Sequence, residues 1–112
     1  MVSNISESEN ISPYELNEKM RKGEDFFLLD VRTPAESAVQ AIPGSYQIPL
    51  QELGQRMQEL PKDKEIVAYC RVGNRSGHAS AFLSRQGYNI KNLTGGIMLW
   101  NLVENAEGAL VS

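Results

Sequence analysis

A single cysteine heads a short run in which most residue types could serve an anion or a thiolate, Cys70-Arg71-Val72-Gly73-Asn74-Arg75-Ser76. The thiolate is the nucleophilic form of cysteine, and helix amino termini, arginines and inward-turned amides all favour it. Gly73-Asn74 supports the positive φ values with which successive N–H groups form an anion nest. An isolated cysteine reads as a small buried hydrophobe. Arg71, Gly73, Asn74, Arg75 and Ser76 are poor core formers, and in their company Cys70 reads as a nucleophile whose backbone cradle runs from Arg71 to Ser76. The only histidine, His78, follows eight positions after Cys70 on an expected helix and is not assigned as its base. One cysteine and one histidine exclude an internal disulfide, a multi-cysteine cluster and a His-rich centre, so no metal is expected.

Such a loop needs a strand to deliver the thiol and a helix to cap it. Ile66-Val67-Ala68-Tyr69 is an apolar run of the kind buried on both faces of a parallel sheet, and Phe26-Phe27-Leu28-Leu29 is a second, ending at Asp30. Ser45 to Ile48 and Asn89 to Leu93 read as further strands. Ser12-Pro13-Tyr14-Glu15 and Thr33-Pro34-Ala35-Glu36 each combine a cap, a proline at the first helical position and a glutamate three residues after the cap. They predict one helix from Pro13 to about Lys22, stopped by Gly23, and a short one ending before Ile42-Pro43-Gly44. Leu50, Leu53, Met57 and Leu60 recur at helical spacing up to Pro61. A helix from about Arg75 to Gln86 follows the cysteine loop, with Ala79, Phe82 and Leu83 toward the sheet, and a last one covers Ile97 to about Asn105. Alternating strands and helices predict an α/β domain with a mainly parallel sheet covered on both faces. In such sheets ligands bind beyond the carboxyl ends of strands, where both Cys70 and Asp30 fall.

The 112 residues suit one domain, able to bury roughly two-thirds of its unfolded surface. We expect a loose tail at 1–9, the domain at 10–105 and a tail at 106–112. A hydrophobic share of 41% with 22% charged residues fits an ordinary globular chain. The net charge of −3 argues against a nucleic-acid or anionic-membrane binder. With no apolar run near the ~20 residues of a membrane span and a polar, acidic start, a cytoplasmic location is expected.

The cysteine run resembles the active-site loop of the rhodanese family of sulfurtransferases, whose common form is C-R-x-G-x-R-S. Asp30-Val31-Arg32-Thr33-Pro34-Ala35-Glu36 is similar to that family's D-V-R-x-P-x-E motif, Ile42-Pro43-Gly44-Ser45 to its I-P-G-A turn, and Gly95-Gly96-Ile97-Met98-Leu99-Trp100 to its G-G-x-x-x-W ending. The matches run in order from about Ile11 to Asn101. This chain has Gln40-Ala41 where the family often has Gly-His. The resemblance implies a rhodanese-like sheet of about five strands and a persulfide relay without cofactor. Cys70 would take the outer sulfur of a small anionic donor such as thiosulfate and pass it to a thiol, cyanide or a protein acceptor.

Arg71, nearest the rim, and Arg75 are candidates for attracting the donor, although Arg75 in the helix's first turn could instead bind a carboxylate and brace the loop. Asp30 and Arg32 are expected to support the loop as an ion pair, with electrostatic tuning of the thiolate as the alternative. Trp100 is expected in the core or at its rim. Two other functions compete. A cysteine-dependent phosphatase or arsenate reductase would use a longer loop, with its arginine one position later, where this chain has Ser76. A non-catalytic binding or regulatory module would not need an intact cysteine loop.

Overall fold

A computed structural model describes residues 9–111. Five strands, β1 (Glu9–Ile11), β2 (Phe27–Asp30), β3 (Ser45–Gln47), β4 (Ile66–Tyr69) and β5 (Ile90–Leu93), form one sheet in the order β1-β5-β4-β2-β3 with every pairing parallel. Helices α1 (Pro13–Arg21), α2 (Pro34–Val39), α3 (Leu53–Arg56), α4 (Asn74–Arg85) and α5 (Gly96–Val111) join them. The strand that carries the cysteine, β4, is the middle one. Its alternation divides the core: Ile66, Ala68 and Cys70 pack with Leu29, Val31, Ala79 and Leu83, while Val67 and Tyr69 pack with Leu16, Leu28, Leu93 and Trp100. The sheet is thus apolar on both faces, as a parallel sheet between two helical layers requires.

Both capping boxes form as the sequence dictates. Ser12 Oγ accepts from the Glu15 amide (3.1 Å) and Glu15 reaches back to the Ser12 N–H (2.8 Å). Thr33 and Glu36 repeat the exchange at 3.2 and 3.0 Å. The second box matters most, because it fixes the Glu36 carboxylate above the cysteine loop.

Three expectations are corrected. The domain begins one residue earlier, with β1, whose Glu9 is expected in the loose tail; it exists as a strand because β5 offers it an edge, with Asn10 opposite Asn92. Residues 1–8 of that tail lie outside the described residues. The continuous helix expected over Leu50 to Leu60 is broken into 3₁₀ turns at Leu50–Glu52 and Met57–Glu59 around the single turn of α3. Neither first turn there has a side-chain cap, and Gly54 weakens the middle. Finally, α5 passes Asn105 into the expected tail and ends at Val111. Asn17 and Arg21 of α1 hold Glu107 at 2.9 and 3.5 Å and draw that end onto the domain. No helix among the described residues is long and apolar enough to cross a membrane.

Candidate active site at the end of the central strand

Cys70 follows β4 directly, and the chain turns at Gly73, whose φ of +110° only glycine adopts readily, before α4 begins at Asn74. The turn aims donors at the sulfur. The N–H groups of Gly73 and Ser76 lie 3.1 and 3.4 Å from Cys70 Sγ, and the Ser76 hydroxyl lies 3.3 Å away. Burial alone would push the thiol up. The Ser76 hydroxyl and the amides of Ser76, Gly73 and Val72 outweigh it and hold the thiol below its ordinary value. Cys70 is 1% exposed, so the loop encloses its sulfur instead of presenting it on the surface.

The two arginines of the loop differ. Arg75 makes a bidentate pair with Glu36, at 2.8 and 2.9 Å, which ties the first turn of α4 to α2. Arg75 first, then the Thr33 amide, lower the Glu36 carboxyl to about 2. Arg71 is exposed and has no carboxylate partner among the described residues. It lines a depression of about 270 Å³ together with Glu36, Val39, Gln40 and Met98.

Asp30 and Arg32 form a buried pair beside the loop, at 0% and 5% exposure. Arg32 Nε and Nη2 donate to the two Asp30 oxygens at 2.9 and 2.8 Å, and Nη2 also reaches the Gln40 carbonyl at 2.7 Å. Ser37 and Tyr69 hydroxyls complete the shell of Asp30 at 2.6 and 3.1 Å. The pair joins β2, α2 and β4 and does not touch the sulfur. Trp100 is a core residue, with Nε1 donating to the buried Asn17 Oδ1 at 2.9 Å. His78 is exposed on α4 beside Leu50, Leu53 and Phe82, away from the thiol's hydrogen-bond partners.

Two contributors were not singled out from the sequence as parts of the site. Asn92, a polar residue inside β5, contacts the loop from below. Gly96 opens α5 so close to the loop that the Ile97 and Met98 amides donate to the Cys70 and Arg71 carbonyls at 2.9 and 3.1 Å. A Cβ at Gly96 would fall on the Arg71 carbonyl and within 2.6 Å of the Cys70 carbonyl oxygen, at a φ of +62°. Gly96→Ala is therefore expected to lose at least about 2 kcal/mol of stability and to slow reactions at Cys70. Chemical denaturation and the rate of thiol alkylation measure the two effects; wild-type values in both would refute the close approach.

Comparison with known proteins gives a consistent assignment. The rhodanese-like domain family matches residues 12–102. A sulfurtransferase of Allochromatium vinosum is 46% identical over 86 residues, covering 76% of this chain and 80% of its own. Among solved structures, a rhodanese-related protein of Thermoplasma volcanium superposes with a TM-score of 0.77 at 37% identity, covering 82% of this chain and 89% of its own. A rhodanese-like domain protein of Staphylococcus aureus gives 0.79 at 27% identity, with 82% and 90% covered.

Proposed function

Because this chain belongs to the rhodanese-like domain family, we propose that it is a sulfurtransferase that carries sulfane sulfur as a persulfide on Cys70, with thiosulfate as a competent donor. The observation that carries this reading is the convergence of two amides and a hydroxyl on one buried sulfur. Donors fixed in advance around a thiolate stabilise the anionic groups on both sides of sulfur transfer.

The reaction balances as two displacements at sulfur. Cys70 thiolate attacks the outer sulfur of thiosulfate, the donor's S–S bond breaks, and sulfite leaves with that electron pair. Cys70 then holds an outer sulfur as a persulfide anion within reach of the loop amides. A thiolate or cyanide attacks that outer sulfur, and Cys70 leaves again as thiolate. Arg71, exposed at the rim without a carboxylate partner among the described residues, is the residue assigned to attract the anionic donor. Arg75, already committed to Glu36, braces the loop. With a single cysteine in the sequence, the persulfide is resolved by another molecule.

Incubation with thiosulfate followed by intact-mass measurement tests this. We expect one added sulfur atom per chain, removed by cyanide or by a thiol. Absence of the adduct, or hydrolysis of an aryl phosphate faster than sulfur transfer, would overturn the assignment.

A further inference from the structure

Asn92 sits one strand away from the cysteine strand, opposite Ala68, directly beneath the loop. Its side-chain amide engages two loop residues at once. Nδ2 donates to the Gly73 carbonyl at 3.3 Å, and Oδ1 accepts from the Ser76 hydroxyl at 2.6 Å. Gly77 of α4 lies over the same amide, where a Cβ would sit in ordinary contact, 3.6 Å from Nδ2. The same Ser76 hydroxyl lies 3.3 Å from Cys70 Sγ. A hydroxyl has one hydrogen to donate, so its two acceptors, the amide oxygen and the sulfur, compete for it.

We propose that Asn92 is a positioning residue that competes with Cys70 for the Ser76 hydroxyl hydrogen and thereby governs how readily the sulfur gives up its proton. In the thiol state Cys70 S–H donates to Ser76 Oγ, and the hydroxyl hydrogen goes to Asn92 Oδ1. On ionisation the thiol proton passes to bulk water. The hydroxyl keeps its own hydrogen and turns it to the thiolate, joining the Gly73 and Ser76 amides. Asn92 meanwhile retains Gly73 through Nδ2, so the cradle stays in place while the hydroxyl changes partner. The charged groups around this exchange are Arg71 in the loop, Arg75 of α4 with Glu36 of α2, and the Asp30–Arg32 pair at the end of β2. None of them is altered by a change at Asn92.

The inference rests on Cys70 being the reacting group, and its test separates the two ideas. Thiolate absorbance is titrated against pH in the full-length wild type, Asn92→Asp, Asn92→Ala and Asn92→Ala in a Ser76→Ala background. Asn92→Asp holds the hydroxyl with a charged acceptor, repels the thiolate and cannot donate to the Gly73 carbonyl. The titration is expected to move upward by about one unit, which is about tenfold less thiolate at a pH below the midpoint. Asn92→Ala removes the competitor, and the titration is expected to move downward; in the Ser76→Ala background that downward shift is expected to vanish. An unmoved curve in Asn92→Ala, or an upward shift in both variants, would reduce Asn92 to a prop and overturn the proposal. Should Asn92→Asp fail to fold, the two alanine variants decide. Thiosulfate loading is read by mass on the same samples. A wild type that never loads overturns sulfur transfer and leaves the titration comparison intact, whereas normal loading with unmoved titrations overturns the role of Asn92 alone.

Discussion

Cys70→Ser is expected to abolish the sulfur adduct and to lower thiosulfate:cyanide transfer by roughly three orders of magnitude or more. Every other part of the site stays in place. The serine hydroxyl is smaller than the thiol but can accept from the same Gly73 and Ser76 amides, which otherwise lie 3.1 and 3.4 Å from the sulfur. The fold should therefore survive, with near-wild-type circular dichroism and melting. What is lost is the nucleophile, since the cradle favours ionisation of a thiol but leaves the far less acidic alcohol protonated. Thiocyanate formation and intact mass are the measurements. Transfer at the wild-type rate in this variant would remove Cys70 from the mechanism.

The second large effect concerns stability. Asp30→Ala strands the Arg32 guanidinium, 5% exposed, in a pocket built for a carboxylate. Removing one partner of a buried ion pair costs about 3–5 kcal/mol, a large part of the roughly 5–15 kcal/mol that holds such a domain together. The expected fall in Tm is on the order of 15 °C. Removing both charges in Asp30→Ala/Arg32→Ala should cost less than the two single changes added together, because no charge is then left unpaired. Additive losses would show that the two side chains act separately. The same pair contributes to acid sensitivity. Burial alone would raise Asp30, but the Arg32 side chain, the Ser37 hydroxyl and the Arg32 amide outweigh it and hold it below its ordinary value. A carboxylate depressed in the folded state stabilises fully above its unfolded value, and that stability is lost as pH falls toward the folded one. Glu36, at about 2, adds to the effect in the same direction.

Sequence signals were most readable where one residue type has one physical use. Ser12 and Thr33, each followed by Pro and a glutamate three residues on, could only cap helices, and both boxes form. The Ile66 to Tyr69 run could only be a buried strand, and Gly73 is the loop residue that turns with positive φ. Signals failed where a neighbour supplies the reason. Glu9-Asn10-Ile11 has no strand pattern of its own and is ordered by the edge of β5. The polar end of α5 is held by Asn17 and Arg21, far away in sequence. Asn92 shows only a polar residue in a strand; what it serves is the loop above, visible once β4 and β5 are placed side by side. Arg75 could have faced donor or carboxylate, and the position of Glu36 in the Thr33 box provides the carboxylate.

The strand order carries a consequence for how the chain acquires its shape during synthesis. The earliest strand, β1, pairs only with the latest, β5, Glu9 lying opposite Lys91. A nascent chain that has just emitted β1 and α1 has nothing to zip the strand onto. The β2–β3 pair, Leu28 against Ser45, is the first long-range register that can close, and β2–β4, Phe27 against Ile66, is the next. Closing such loops is entropically slow, and parallel pairings leave strand edges open in the meantime. The cysteine strand thus adds to a β2 already paired with β3, before its other neighbour β5 exists, while β1 docks last. A ribosome stalled before β5 should hold a chain whose β1 is still cleavable by protease, and release of the full-length chain should protect it.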